Sequence, residues 1–184
     1  LSSISNNAFS ISPDVFIQST VNRASQILSL NISKDEKISK LKIIAKETVD
    51  IKGVGFYSLG KYRKNLNDDQ LKEYLSLFEK YFLKSFTSRL TDYSDPKINV
   101  ISVEVINPKY TIVKSILLAT SKRPEVKIEW RVYTKNPENL LIRDLIIEGL
   151  SLARTQKEEF SSIINSNDGK IDALLKNLSD FSAK

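Results

Sequence analysis

The sequence predicts an α+β protein, in which a helical N-terminal half packs on one face of a curved four-stranded antiparallel sheet and further helices close the chain. Two observations lead to this prediction. Apolar residues recur at three- to four-residue spacing up to about residue 93, which is typical of amphipathic helices. Beyond Pro96, four segments rich in valine and isoleucine are separated by short turns that contain proline, which favours a meander of strands. The 184 residues are expected to form one domain, 1–184.

The predicted helices begin at capping sequences. Ser12 precedes Pro13, a residue type that fits the first turn of a helix. Ser33 with Glu36 forms the capping-box pattern before the second helix. Asn67, with a glutamine three residues later, begins the longest helix. The segment before Asn67 contains three glycines, whose spacing does not fit a phosphate-binding loop and instead favours a tight corner.

The longest predicted helix carries a stripe of large apolar side chains. Phe78, Phe82, Phe86 and Leu90 recur every four residues and therefore lie on one helix face. Such a stripe packs by default against an ordinary core. Facing a sheet of valine and isoleucine, it would also suit a deep apolar cavity. The spacing alone leaves both interpretations open.

Four strands are predicted in the second half of the chain, at 98–106, 111–120, 125–134 and 139–148. The third alternates between apolar and charged residues, as a strand with one covered face does. The apolar residues expected on one face of their strand are Ile101, Val103 and Val105 in the first strand and Ile128, Trp130 and Val132 in the third. Two helices, at about 150–164 and 170–181, are expected to close the chain.

The residue types that are absent limit the kinds of active site and metal site that the chain can form. The chain contains no His and no Cys, so a Ser-His-Asp triad, a Cys-His pair, a disulfide and an imidazole or thiolate metal site are excluded. The net charge of +6 is compatible with attraction to anionic lipid headgroups or to nucleic acid. Because the basic residues are interspersed with acidic ones, an ordinary solvated surface is favoured. No cofactor and no metal ion is predicted.

Two features bear on the cell compartment. The chain contains no Met, even at its first position, so we expect that an export signal was removed or that the chain was trimmed. No run of about 18 apolar residues is present, and no segment is therefore expected to span a bilayer.

Asp144 and Glu148 lie within the apolar run NLLIRDLIIE and are the candidates for an acid–base pair. On a regular strand, four residues span about 13 Å, which exceeds the separation of two carboxylates that act together on a glycoside. Both are expected on the face that Ile142 and Ile146 share, and both are interpreted as structural, joining the last strand to the following helix. An enzyme that uses Asp144, Glu148 and Glu104 is the alternative.

Two segments resemble the MlaC, or toluene-tolerance, family. Residues 58–94 are similar to a family segment that contains A-L-G-basic-W-basic, T-x-x-Q, F-x-x-x-F and Y-S, with Tyr62 in place of the tryptophan. Residues 143–152, RDLIIEGLSL, resemble Y-D-V-x-I-E-G-V-S-L, the most specific of these motifs. The resemblance spans about residues 50–178. The order of helices, four strands and terminal helices also agrees with this family, and the fold that it implies is NTF2-like.

The resemblance implies a soluble periplasmic carrier of glycerophospholipid that catalyses no reaction. Its implied partners are the outer-membrane lipoprotein complex and the inner-membrane ABC transporter complex of the Mla system. Transient contact with a membrane surface, no nucleic-acid binding and a monomeric state are also expected. The acyl chains would lie in a cavity between helices and sheet, with the headgroup at its mouth. A related amphiphile such as a hopanoid remains an alternative cargo.

The residues expected to line or border this cavity combine the helix stripe with the strand faces. They are Val54, Phe78, Phe82, Phe86, Leu90, Ile101, Val103, Val105, Ile128, Trp130 and Val132. An apolar lining suits a carrier, because a bilayer already buries acyl chains and a carrier only has to match that burial. A module that binds nucleic acid or protein through its basic surface is a third hypothesis.

Overall fold

The structure, a computed structural model, describes residues 10–184. The helices of this part of the chain are α1 (Pro13–Ser29), α2 (Lys34–Thr48), α3 (Ile51–Leu59), α4 (Asp68–Leu90), α5 (Leu152–Asn165) and α6 (Ile171–Ala183), with a short 3₁₀ helix at Gly60–Asn65. The strands are β1 (Ile98–Asn107), β2 (Tyr110–Leu117), β3 (Val126–Tyr133), β4 (Leu141–Ile147) and β5 (Leu150–Ser151). This arrangement confirms the predicted α+β class.

The starts of α1, α2 and α4 follow from their capping sequences. Pro13 occupies the first turn of α1. The hydroxyl of Ser33 accepts a hydrogen bond from the N of Glu36 at 3.2 Å, and the Glu36 carboxylate accepts one from the N of Ser33 at 3.0 Å. Asn67 and Gln70 form the same reciprocal pair, at 2.8 Å and 3.1 Å. These bonds satisfy backbone donors that the first helical turn leaves without a partner.

The sheet is an antiparallel meander with the order β1-β2-β3-β4-β5. The prediction lacks the fifth strand, which has two residues and pairs with the end of β4 through Ile147 and Leu150. Glu148 and Gly149 have positive φ values of 49° and 82°, as tight two-residue hairpin turns require. The chain therefore folds back once more before α5, which begins at Leu152.

A bulge in β4 separates two residues that were expected on one face. Ile142 pairs with Val132 and Asp144 pairs with Arg131, so Arg143 is an extra residue relative to β3. One inserted residue moves the following side chains to the opposite face. The prediction that Asp144 shares a face with Ile142 is therefore wrong.

Most of the buried apolar residues form two clusters. The sheet core lies between α1 and the sheet, and the helical core lies among α3, the 3₁₀ helix, α4, α5 and α6. The sheet core consists of Phe16, Ile17, Val21, Val113, Leu117, Ile128, Trp130, Val132, Leu140 and Ile142. The helical core consists of Val54, Leu59, Tyr62, Tyr74, Phe78, Phe160, Ile164, Leu174, Leu175 and Leu178. Val49 is partly buried and packs against both cores.

Within residues 10–184, no helix is both long enough and apolar enough to cross a bilayer.

Candidate functional site

Six of the eleven residues expected to line a cavity are divided between the two cores, and the other five lie outside both. Val54, Phe78 and, at the margin, Phe82 belong to the helical core, whereas Ile128, Trp130 and Val132 belong to the sheet core. The helix α4 packs mainly against α2, α3 and α6, while α1 packs against β1 and β2. The stripe on α4 therefore faces other helices, and α1 is the helix that covers the sheet.

Phe78 is the centre of an aromatic cluster in the helical core. It is 1% exposed, and its ring centroid lies 6.1 Å from those of Phe82 and Phe160. Gly55 of α3 permits this approach, because a Cβ there would lie 2.9 Å from a ring carbon of Phe78. The Tyr74 hydroxyl donates to the carbonyl of Gly55 at 2.8 Å, and burial raises the pKa of Tyr74. This part of the stripe is tightly packed core.

The stripe becomes more open toward the C-terminal end of α4. The ring of Phe86 stacks on that of Phe82, with centroids 5.5 Å apart. Phe86 and Leu90 are only partly buried. Neither of these two residues belongs to the helical core or the sheet core.

The inner face of the sheet, which α1 covers, is mostly apolar, and the polar groups on it are hydrogen-bonded to one another. The indole N–H of Trp130 donates to the hydroxyl of Ser115 at 2.9 Å. That hydroxyl donates in turn to the carbonyl of Ile128 at 2.8 Å. Val113 and Val132 on this face are fully buried. The inner face therefore presents hydrocarbon without leaving a buried donor unsatisfied.

The inner face continues onto a part of β1 that the rest of the described chain leaves exposed. Val103 pairs with the buried Val113, and Val105 pairs with the buried Thr111. Directly opposed residues project to the same side of a sheet, so both valines lie on the inner face. They are nevertheless 42% and 72% exposed. Ile101, the extra residue of a bulge in β1, is 59% exposed. We call these three residues the open end of the sheet.

The direction of α1 explains why this end is open. Gln18 accepts from the N of Val100 at 3.0 Å, and Ser25 donates to the carbonyl of Pro96 at 2.6 Å. The helix α1 and the strand β1 therefore run in opposite directions. The first turn of α1 lies toward the open end, and Val15 in that turn is itself 51% exposed.

Asp144 joins β4 to α5. Its carboxylate accepts from the N of Ala153 at 3.0 Å and from the hydroxyl of Ser151. Both partners lie at the N-terminus of α5, where a carboxylate complements the helix dipole. The interpretation of Asp144 as a tie between the last strand and the following helix is confirmed.

The other two acids of the enzyme hypothesis also have partners within the sheet. The Glu148 carboxylate accepts from the N of Lys127 at 2.7 Å, which ties the turn after β4 to the start of β3. The expectation that Glu148 joins the last strand to the following helix is therefore wrong, because Glu148 lies in the turn before β5 and α5 begins only at Leu152. The Glu104 carboxylate lies 3.0 Å from the Nζ of Lys114 on the neighbouring strand. Within residues 10–184, no group of three or more acids is arranged to hold a metal ion.

A polar joint, formed by Asp50, Arg143 and Tyr110, links α3 to the sheet. The Nε of Arg143 lies 2.8 Å from the Asp50 carboxylate, and another of its nitrogens donates to the Tyr110 hydroxyl at 2.6 Å. The same carboxylate caps α3 by accepting from the N of Gly53 at 2.9 Å. The joint was not predicted from the sequence. The capping position of Asp50 was visible in the sequence, but its pairing with a bulged residue 93 positions away was not.

Two surface pockets occur elsewhere on the molecule. One, of about 580 Å³, is lined by polar and charged side chains that include Tyr57, Arg154 and Asn165. The other, of about 380 Å³, lies between α2 and α4 and is rich in lysine. Neither lining includes a residue of the α4 stripe or of the open end.

Comparison with known proteins relates this architecture to a family. The chain matches the sequence model of the MlaC protein over residues 18–180. Among solved structures, it is similar to the phospholipid-binding protein from Ralstonia solanacearum in complex with a phospholipid. The two share 16% sequence identity and a TM-score of 0.79, over 94% of this chain and 98% of that chain. At this identity, the likeness establishes the fold.

The sequence match begins within α1 and ends within α6, so it includes the whole sheet, the helical core and all of the sheet core except Phe16 and Ile17. It confirms the resemblance inferred from residues 58–94 and 143–152. The structural likeness agrees with it, because it covers the same arrangement of helices and strands. The chain therefore belongs to the MlaC family.

Proposed function

We propose that the protein is a soluble periplasmic carrier that binds the acyl chains of a phospholipid between its helices and its sheet. In this proposal, residues 1–184 form one domain that acts as a monomer and catalyses no reaction. It moves the lipid between the outer-membrane lipoprotein complex and the inner-membrane ABC transporter complex of the Mla system. Membership of the MlaC family supports the proposal, as does the phospholipid bound by the structurally similar Ralstonia protein.

The observation that carries the proposal is the continuity of the inner face of the sheet. Val113 is fully buried, whereas Val103 beside it is 42% exposed and Val105 farther along is 72% exposed. An acyl chain laid along this row would leave water and cover exposed side chains at the same time. Each methylene buried contributes about 0.8 kcal/mol. The open end is therefore the proposed entrance for the acyl chains.

The two-core arrangement offers a way to admit a long chain. Val49 packs against both cores, and the polar joint lies next to it, where the N of Asp50 donates to the carbonyl of Ile142 at 2.9 Å. In the proposal, the cores separate along this junction while each keeps its own packing. The acyl chain would then extend past Ile128, Trp130 and Val132. It would point toward Val54 and the α4 stripe.

A carrier of this kind has to release its cargo as readily as it takes it up. A bilayer buries acyl chains about as completely as a protein cavity does, so transfer is close to balanced when both environments are apolar. Satisfied inner-face groups such as Ser115 and Trp130 offer no free donor to hold a headgroup. The inner face therefore suits reversible transfer.

The experiment that tests the proposal is organic extraction of the purified protein followed by lipid mass spectrometry. We expect phospholipid in a fixed ratio to protein, and uptake of labelled phospholipid from vesicles. If a hopanoid is recovered instead of phospholipid, the protein is still a lipid carrier, but the proposed cargo is wrong. Protein free of lipid that takes up none from vesicles would overturn the proposal.

The enzyme hypothesis gains no support from the geometry of its three acids. Asp144 caps α5, Glu148 binds the backbone of Lys127, and Glu104 pairs with a neighbouring lysine. Each carboxylate thus has a local structural partner.

A further inference from the structure

A groove lined by lysines lies between α2 and α4, close to the end of α6. Its volume is about 380 Å³. The lining contains Lys42, Lys46, Lys80 and Lys84, with Ile43 and Leu83 among them. None of the described residues that line it is acidic. We call it the lysine groove.

The lysine pairs of this groove have an unfavourable spacing. Lys42 and Lys46 are four residues apart on α2, and Lys80 and Lys84 are four residues apart on α4. Like charges at this spacing are neighbours on a helix surface and destabilise it. Because α2 and α4 pack against each other, the groove gathers four positive charges.

Charges within the protein compensate this cluster only in part. Lys46 lies 3.3 Å from the carboxylate of Glu79, in a pair whose side chains are about half exposed. The Nζ of Lys84 donates to the carbonyl of Phe181 at 3.2 Å. Within residues 10–184, Lys42 and Lys80 form no ion pair. The groove therefore retains unpaired positive charge that an anion can neutralise.

An exposed apolar side chain lies within this charged surface. Ile43 is 57% exposed, whereas Leu83 beneath the lysines is buried. Lys42 and Lys84 are partly buried, so their hydrocarbon stems cover apolar surface while their charges remain at the groove. Positive charge around an exposed aliphatic residue complements a membrane surface, where anionic phosphates lie above hydrocarbon.

We propose that the lysine groove binds the phosphate groups of anionic lipid headgroups and docks the protein on a membrane surface, with Ile43 entering the interfacial layer. The inference rests on the proposed function, since it assigns the membrane contact of a lipid carrier to particular residues. The groove is separate from the open end of the sheet, because their linings share no residue. Docking and cargo binding are therefore expected to be separable by mutation.

The test is co-sedimentation of the full chain with vesicles of phosphatidylcholine, with and without phosphatidylglycerol. We expect binding that needs phosphatidylglycerol and weakens with added salt. The double variant Lys42→Gln/Lys80→Gln is expected to weaken it by about tenfold or more, because each lysine near an anionic surface adds to the attraction.

The control is Lys109→Gln/Lys122→Gln, which removes two exposed lysines outside the groove and has the same net charge. This control is expected to bind vesicles with less than about a threefold loss. Equal losses in the two double variants would overturn the proposal, because they would show a general charge effect. The proposal would also be overturned if the groove variant bound vesicles as strongly as the unmodified protein does.

Two further measurements identify the source of the phosphate and separate this proposal from cargo binding. Titration with inorganic phosphate, without vesicles, is expected to show no binding. If the unmodified protein bound phosphate tightly and the groove variant did not, the groove would be a site for a free anion, and membrane docking would be overturned. The groove variant is expected to retain the lipid content of the unmodified protein. If neither the unmodified protein nor the variant carries lipid, the proposed function fails while the vesicle result still decides the groove.

A single variant tests the apolar part of the docking surface. Ile43→Ser is expected to weaken vesicle binding severalfold, and unchanged binding would show that Ile43 is not part of the docking surface.

Discussion

The helical core and the open end of the sheet are both apolar, but their surroundings are opposite. In the helical core, Tyr74, Phe78 and Phe160 are at most 1% exposed and contact one another through their rings. At the open end, Val103 and Val105 lie in a row with buried residues, yet water reaches them. The comparison shows that apolar composition does not reveal which residues stabilise the fold and which are available to a ligand.

The first way to sharpen this comparison is to remove a large side chain from each environment of the α4 stripe. Phe78→Ala is expected to lower the free energy of unfolding by about 3–5 kcal/mol, because it leaves a cavity in a packed core. Phe86→Ala removes the same atoms from a partly exposed position, and a loss of about half that size is expected. Urea unfolding measures both variants. Equal losses would contradict the division of the stripe into buried and open parts.

The second prediction places a charge at the open end. Val105→Glu is expected to reduce phospholipid uptake from vesicles by about tenfold or more, since acyl chains would bury an unpaired carboxylate. Because Val105 is 72% exposed, the free energy of unfolding should change by no more than about 0.5 kcal/mol.

The matched control for that variant is Ser102→Glu. Ser102 lies on the same strand and is exposed, but it pairs with Lys114 on the outer face. It is expected to leave lipid uptake unchanged. If both variants lose uptake equally, the inner face of β1 is not the entrance.

The third prediction concerns the cap between β4 and α5, which lies outside both cores. Asp144→Asn keeps the shape of the side chain but removes its charge, and it is expected to lower the free energy of unfolding by about 1 kcal/mol. Lipid uptake is expected to remain at the level of the unmodified protein. Loss of uptake with unchanged stability would give Asp144 a role in binding rather than in the fold.

The smallest expected effect concerns the stability that the exposed capping box of α2 contributes. The pKa of Glu36 is lowered because its carboxylate accepts from the backbone N–H and the hydroxyl of Ser33. A lowered pKa in the folded state means that the ionised carboxylate stabilises the fold above its ordinary pKa of 4.5. This contribution is lost as the pH falls through the lowered pKa. The stability difference between the protein and Glu36→Gln should therefore disappear in acid, and a difference independent of pH would contradict it.

Local features of the fold could be predicted from the sequence. The capping boxes at Ser33 and Asn67 were correctly predicted, because each depends on residues three positions apart. The strand β5 was missed because its turn uses Glu148 and Gly149, and Glu-Gly is not among the pairs that mark a tight hairpin. The bulge at Arg143 was missed because β4 is apolar on both of its faces, so its sequence has no alternation whose shift would mark an inserted residue.

The division into two cores could not be predicted in the same way. Phe78 and Trp130 have equally apolar surroundings in the sequence, but they lie in different clusters because α1, not α4, covers the sheet. Helix spacing identifies the buried face of α4 and does not identify its partner. The exposure of Val105 depends on where α1 begins relative to β1, which is a tertiary relation. The assignment of the eleven predicted lining residues to a lipid site remains a prediction.

The cap formed by Asp144 and the turn at Glu148 have a consequence for the comparison of relatives. Both acids lie in the segment RDLIIEGLSL, the most distinctive family motif of this chain. Asp144 holds β4 to α5, and Glu148 holds the turn after β4 to β3. A search guided by this motif therefore selects proteins that share the scaffold. Differences in cargo among such proteins should be sought along β1, where Ile101, Val103 and Val105 carry no motif. If the open end is the entrance that we propose, exchanging that strand between relatives is expected to change the lipid selected while the scaffold is kept.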